Sequence, residues 1–452
     1  MEIIRQYFPN ILDIVHIAFT FTVNGGWVLF VIGAIAMFWH SYIHEIQHQY
    51  IHAQDWIFLS IKVPRENQVS TLAVESIFAQ MHALHVGKTY VEKYVEGHIQ
   101  LWYSLEIISL GGKISFVVRL PERMKDTVEA AFYSHYPQAE ITEISDYMEN
   151  FHYSPDVPGD YEIFGSEWKL EDSDMVPIKT YKDFEHLSAE QKIIDPLSNF
   201  FEGLSKIKPY EFIGYQIIIQ PLADNEWHQK ADAKIKQLTG EEAAHERTLG
   251  GVLSAPFGIL GHQSLLETFR KGSHNHGGHG HAEENKPKNN WLNMTETEKE
   301  RVTLVEKKVG KPGYKTKIRM LYIAPSDKFD NSRKSLMSGL YRPLGSEMRN
   351  KLKPDVRTTW TGVDALISKT LEKPYLEWLL KNKKRKLFKG YKQRDVHIGR
   401  PMFIFNIEEL ATLFHFPITA EGQTVHPAIE QTQSKTGRPP ANLPVLENEF
   451  VS

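Results

Sequence analysis

The chain has no cysteine among its 452 residues. A disulfide scaffold, a zinc ribbon and a thiol nucleophile are therefore excluded, and a reducing compartment fits the composition. Strong charge of one sign is also missing. A formal net charge of −4 argues against a protein that coats nucleic acid over its whole surface. A phosphate-binding Walker loop is absent too. The stretch Gly310-Lys311-Pro312-Gly313-Tyr314-Lys315-Thr316 invites the test, but the motif needs glycine directly before the Lys-Thr pair and again five positions earlier. Tyr314 and Val309 stand there instead. No other stretch carries a convincing catalytic signature, so the expectation is no enzyme activity and no cofactor.

What is present is an ordinary folded composition, 41% hydrophobic and 24% charged. The length suits one membrane segment with two or three further modules. Between Ile14 and Trp39 there is no Asp, Glu, Lys or Arg, and WVLFVIGAIAMFW is almost wholly apolar. One helix of that length would reach about 39 Å, against about 30 Å of hydrocarbon. Trp27 and Trp39 suit the interfaces, while Asn24-Gly25-Gly26 weakens the first half. A cleavable signal peptide fits less well. Arg5 is the only basic residue ahead of the span, and bulky aromatics stand where a cleavage site belongs. The segment is expected to be a retained single-pass anchor.

Directly after it, His44, His48 and His52 recur at helical spacing, and His44-Glu45-Ile46-Gln47-His48 matches H-E-x-x-H literally. A metallopeptidase carries that motif on a buried helix with a third ligand downstream. A position just beyond a membrane span favours a juxtamembrane helix at headgroup level. A zinc-dependent membrane hydrolase remains the alternative.

The stretch from Trp56 to Ile144 is the best patterned. A strand at Trp56–Val63 is followed by a helix opening at Ser70, with Leu72, Ile77, Met81 and Leu84 as its apolar stripe. Strands follow at Trp102–Ser109 and Ile114–Leu120 around a Gly111-Gly112 turn. A second helix carries Met124, Val128, Ala131, Phe132 and His135, and the last strand is Ala139–Ile144. The order β-α-β-β-α-β is that of a ferredoxin-like unit, with one sheet face left for a partner. A weaker repeat follows: strand near Glu162–Trp168, helix at Phe200–Lys206, strands at Tyr210–Ile219 and Lys315–Ala324, helix at Ser332–Tyr341. The rest of Phe151–Asp195 reads as an exposed connection.

The predicted class is thus α+β: a transmembrane helix, then two ferredoxin-like modules, the second degenerate and interrupted. Boundaries fall at 1–55, 56–150, 151–370 and 371–452, with a His-rich insertion near 271–290. In that insertion His274, His276, His279 and His281 have spacings a metal could use, although such stretches are more often mobile loops. KNKKRKLFKGYK is the strongest basic run. Lys383, Lys384, Arg385, Lys386, Lys389 and Lys392 are its candidate contacts to an anionic partner, lipid or nucleic acid. Pro401–Phe405 reads as a strand, Asn406 and Glu409 as a capping box, and Glu430–Pro444 as a linker.

Three blocks in this order carry a resemblance: W-x-x-L-x-I-x-V-P-R-E at Trp56–Glu66, SLEIISLGGKISFVVR with YSHYPQAEITEISDY, and FIFNIEELATLFHFP with SKTGRPPANLP. Together they resemble the membrane-anchored N-terminal region of conjugation-like type IV secretion ATPase proteins of uncultivated small-genome bacteria. In longer relatives a P-loop motor follows where Arg438–Pro444 lies here. The resemblance implies a split system. This chain would be a non-catalytic scaffold at the inner membrane, its modules in the cytoplasm, docking a separately encoded P-loop ATPase. A homo-oligomer is compatible with that role.

Overall fold

The computed structural model describes residues 16, 19–64, 66–155, 161–185, 195–239, 294–362, 373–419 and 425–432. Two compact units emerge, one holding residues up to Gln54 together with Gly87–Ile99, the other holding the sheet.

In the first unit, helix α1 (Trp27–His52) follows a five-residue π-helical turn at Thr22–Gly26. The expected single straight span is not found. No single helix among the described residues is long and apolar enough to cross a membrane. The stretches Phe19–Gly25 and Phe30–His52 have the length and apolarity of a span only together, and they are bent by 78°. The break sits at the glycine pair. Asn24 leaves helical geometry and Gly25 takes φ +98°, a value glycine adopts without cost. Beyond it, the apolar part of α1 from Trp27 to Trp39 is about 20 Å long, short of the hydrocarbon thickness.

In the second unit, nine strands among the described residues form one antiparallel sheet. The elements in chain order are β1 (Trp56–Lys62), α2 (Thr71–His82), β2 (Tyr103–Leu110), β3 (Lys113–Pro121), α4 (Lys125–His135) and β4 (Glu140–Ile144). The label α3 belongs to Tyr90–Tyr94, a one-turn helix of the first unit. Then come β5 (Tyr161–Leu170), α5 (Tyr181–Glu185), α6 (Ser198–Ser205), β6 (Phe212–Pro221), α7 (Asp224–Thr239) and α8 (Glu296–Val309). The series ends with β7 (Gly313–Pro325), α9 (Arg333–Gly339), β8 (Leu352–Pro354), α10 (Lys373–Gln393), β9 (Phe403–Asn406) and α11 (Ile407–Leu413).

The strand order is β4-β1-β3-β2-β6-β7-β5-β8, with β9 on the free end of β7. Read outward from the β2–β6 seam, each quartet has the same sequence of second, third, first and fourth strand. The seam pairs Tyr103 with Ile219 through to Leu110 with Phe212. Between β2 and β3, Gly111 (φ +60°) and Gly112 (φ +88°) make the two-residue turn whose twist suits a hairpin. The equivalent connection, from β6 to β7, instead carries α7 and α8, and the His-rich stretch with His274, His276, His279 and His281 lies outside the described residues.

Alternation along the strands sorts side chains onto two faces. One face holds Leu59, Ile61, Leu105, Ile107, Phe116, Val118, Ile217 and Met320 under α2, α4, α6 and α11. Phe116 meets Phe414 and Phe416 edge-on at 5.7 and 4.8 Å between centroids. The stripe of α2 is Val74, Ile77, Phe78 and Met81; Leu72, expected in it, is exposed. The strand expected near Glu162–Trp168 is β5, but the connection beyond it is not exposed: Met175, Val176, Ile178 and Tyr181 are buried.

The opposite face is not free. Helix α10 lies over it, with Leu387, Phe388 and Tyr391 packed on Ile163, Phe212, Leu321 and Ile323. The basic run is therefore one flank of a helix whose other flank is a second core layer. The extended end of the chain is also partly docked: Ile114 N–H donates to Ala428 O, and Thr432 N–H to Val63 O.

Candidate functional site

Beneath α10 the sheet carries a row of polar side chains. Strand register places Glu106 on β2 opposite Gln216 on β6, Gln216 opposite Arg319 on β7, and Arg319 opposite Glu167 on β5. All four are buried. A buried charge is costly unless paired and hydrogen-bonded, so the partners decide what the row can do.

Glu106 is fully engaged. Arg394 Nε donates to its Oε1 at 3.0 Å, Gln216 Nε2 donates at 2.8 Å, and Tyr147 Oη donates to Oε2 at 2.6 Å. Ser104 Oγ donates to the same carboxylate. Arg394 also grips Asp146 with both terminal nitrogens, at 2.6 and 2.9 Å, and its guanidinium stacks over Phe58 and Tyr147. Burial alone would raise the Glu106 pKa, but Arg394 and the surrounding donors hold it below the ordinary carboxylate value. Tyr147 and Tyr391, whose hydroxyls lie 3.0 Å apart, are pushed well above the phenol range, first by burial and then by the Glu106 charge. To reach this position Arg394 adopts φ +53°, the one positive value at a described non-glycine residue.

Glu167 and Arg319 make the second clasp. Arg319 Nε donates to Glu167 Oε1 at 2.8 Å, and its remaining nitrogens donate to the carbonyls of Gly390, Asp395 and Ile398. Glu167 Oε2 accepts the Arg400 N–H at 2.6 Å. Lys317 donates to the Val396 and Ile398 carbonyls, and burial pulls its ammonium down to about 8. Both clasps therefore bind the sheet to the end of α10 and the 394–400 segment. Close approach is allowed by missing side chains: a Cβ on Gly214 would overlap the Tyr391 hydroxyl, and one on Gly399 the Glu167 carboxylate.

This arrangement fits a lock better than acid–base chemistry, because each of the two carboxylates is paired with an arginine and accepts from further fixed donors. A cleft of about 630 Å³ opens beside the second clasp, with Glu167 in its lining and Arg357, Thr359, Trp378, Lys383 and Lys386 around it. Asp355 is buried near by. Arg400 Nη1 stands 3.3 Å from one of its oxygens, and among the described residues neither oxygen accepts a hydrogen bond.

The basic candidates divide between lock and surface. Lys384 pairs with Glu162, Lys392 donates to Phe151 O at 3.0 Å, and Lys383 donates to Arg357 O at 3.2 Å. Arg385, Lys386 and Lys389 face outward. The histidines of α1 sit on one face, His44 stacked on His48 at 6.4 Å and His48 Nε2 3.0 Å from His52 Nε2, while Glu45 accepts from Gln49. Among the described residues no three His, Asp or Glu side chains converge to hold a metal ion.

Two further buried pairs tie the last helix in. Lys308 and Glu409 meet at 2.8 Å with neither side chain exposed, and the Asn406–Glu409 capping box forms as its residues predict. His415 has Nδ1 3.0 Å from Ala411 O and Nε2 3.0 Å from Asp195 Oδ1. Two facing acceptors require the doubly protonated ring. Burial would lower its pKa, but Asp195 holds it above the ordinary histidine value.

Sequence reasoning missed the lock. Its signal was a charge set among the apolar residues of each strand: Glu106 in SLEIISL, Arg319 in KIRMLYIA and Glu167 in EIFGSEWKL. Nothing near Arg394 pointed to its partner.

The geometry defines an α+β protein with a single antiparallel sheet, helices on one face and an ion-pair-locked basic helix on the other. The chain belongs to the family described as Domain of unknown function (DUF8128), whose model matches residues 52–426. No curated protein matches it.

Proposed function

We propose that this protein is a membrane-anchored, non-catalytic subunit of a type IV secretion or conjugation-like transfer apparatus, docking a separate P-loop ATPase at the inner membrane. The carrying observation is the first unit. Phe30, Met37 and Phe38 expose 66%, 71% and 71% of their surface, and Phe19, Phe21, Val28, Ile32 and Ile35 are exposed as well. A helix apolar on all sides calls for a lipid environment. The bent pair of helices would enter the bilayer together, either as a broken span or as a re-entrant hairpin.

The body is read as two ferredoxin-like units joined edge to edge through β2 and β6. The repeated strand order supports that reading, as does the position of α7 and α8 in the connection matching the Gly111-Gly112 turn. With one face under helices and the other under α10, docking falls to loops, sheet ends and outward-facing basic residues. The consumed charges of the lock favour a scaffold over a hydrolase.

The test is recovery of the full-length tagged chain from native membranes in mild detergent, with the bound proteins identified by mass spectrometry. A P-loop ATPase is expected to co-purify, and the chain to resist alkaline carbonate extraction. An ATPase-free preparation, under conditions that keep other membrane complexes intact, would overturn the docking role.

A further inference from the structure

The excursion between α2 and β2 returns to α1. Thr89 caps α3 in a box with Glu92, whose Oε2 accepts the Thr89 N–H at 2.7 Å. The turn closes through the Val95 and Glu96 N–H groups onto Val91 O, and Gly97 follows at φ +71°. There the backbone runs so near α1 that a Cβ on Gly97 would overlap the Ile46 carbonyl. Tyr50 packs on His98 at 4.5 Å, and Trp39 on Tyr94 at 6.2 Å. The short helix is thus pinned beside the end of the apolar sleeve, at Trp39.

Its outer side is apolar and uncovered. Tyr90, Val91 and Val95 expose 83%, 59% and 61% of their surface. Rings gather along the same level: Trp39 with Tyr42 at 5.9 Å, Tyr90 with Tyr94 at 6.1 Å, and Lys93 Nζ 5.0 Å over the Tyr94 ring. Tyrosine and tryptophan favour the boundary between headgroups and acyl chains, where an apolar body and a polar tip are both satisfied. Lysine stems beside them can cover apolar surface while the ammonium reaches water.

We propose that α3 is a second membrane contact, lying in the headgroup layer with Tyr90, Val91 and Val95 turned into the lipid. Together with α1 it would give a two-point attachment. The occupant is a lipid surface because the patch continues the apolar sleeve at the level of its terminal tryptophan. The inference rests on the anchor reading of residues 19–39.

A chain without cysteine allows single-site labelling. The full-length protein, with an environment-sensitive nitrobenzoxadiazole dye at V91C, V95C, E92C or M37C, would be placed in vesicles of phosphatidylethanolamine and phosphatidylglycerol. Quenching by spin-labelled lipid is then compared with quenching by aqueous iodide. Expected is strong lipid quenching at positions 91, 95 and 37, with several-fold more iodide quenching at 92. Gly97→Val should move the position-91 dye into water and leave position 37 in lipid. Iodide quenching at 91 and 95 with position 37 in lipid would overturn the proposal and leave the anchor standing. Shielding of 91 from both quenchers would also overturn it, since protein would then cover the patch. Water at position 37 as well would mean that the anchor reading itself had failed. A position-91 dye that stays in lipid in the Gly97→Val protein would contradict the pinning of α3 to α1.

Discussion

The two faces of the sheet are cut from alternate residues of the same strands, yet they hold their helices by different physics. Under α2, α4 and α11 the contact with the strands is apolar: Phe78, Leu105, Phe116 and Phe414 share one cluster. The buried pairs Lys308–Glu409 and His415–Asp195 join α11 and the segment after it to α8 and Asp195 rather than to the strands beneath. Under α10 a smaller apolar cluster is joined by two buried clasps, Glu106 with Arg394 and Glu167 with Arg319. Apolar packing tolerates many neighbours; a buried ion pair tolerates one geometry, because either partner alone is stranded. The first face supplies stability, and the second fixes where a basic helix must lie.

Breaking a clasp is the most severe test of that contrast. Arg394→Ala strands Glu106 and Asp146, and about 3–5 kcal/mol should be lost in chemical denaturation of the full-length chain. The double change Glu106→Gln with Arg394→Met should recover part of that loss, since only Asp146, which is partly exposed, is then left without its arginine. Failure of the double variant to recover would mean that the pair does more than balance itself. On the helix face Phe116→Ala should cost a similar ~3–5 kcal/mol, with no partner substitution able to restore it.

Gly214→Ala asks for less. Its Cβ would overlap the Tyr391 hydroxyl, so about 1–3 kcal/mol of overpacking is expected. Tryptic cleavage between Lys381 and Arg400 should then speed up relative to cleavage elsewhere. Equal rates would show that α10 is not seated there. Asn406→Ala removes an N-cap that accepts the Glu409 N–H at 2.9 Å and should cost about 1 kcal/mol.

The smallest effect is expected from pH. His415 has a folded pKa above its ordinary 6.5, so its contribution is whole below that value and fades as pH rises through the folded one. Asp195 is held lower in the fold, by His415 against the effect of burial, so its share fades only as pH falls through that depressed value. Melting temperature should therefore decline on the alkaline side of 6.5, and a His415→Gln chain should decline less. Identical profiles would remove the ion pair from the account.

Much of the sheet was legible in the sequence because its strands obey period two and its turns are marked by Gly111-Gly112, Pro121 and Pro221. The capping box at Asn406 was legible for the same local reason. Three features were not. The buried run Met175–Tyr181 reads as exposed connection because Pro177 and Lys179 are mixed into it, and its partners Glu409 and Thr412 lie on α11, far along the chain. Helix α10 reads as solvated surface because eight basic residues mask the Leu387, Phe388 and Tyr391 stripe. The lock depends on Arg394 reaching Glu106, 288 positions away, and no local pattern encodes that meeting.

Amide hydrogen exchange on the full-length protein measures the second face directly. If α10 is locked to the sheet, the amides of Leu387–Tyr391 and of Arg394 should exchange as slowly as those of β6. They should also become fast in Arg394→Ala while α2 and α4 stay protected. Rapid exchange of α10 in the unaltered protein, with β6 slow, would contradict the account: the basic helix would then be a free arm and the sheet face beneath it open to a partner.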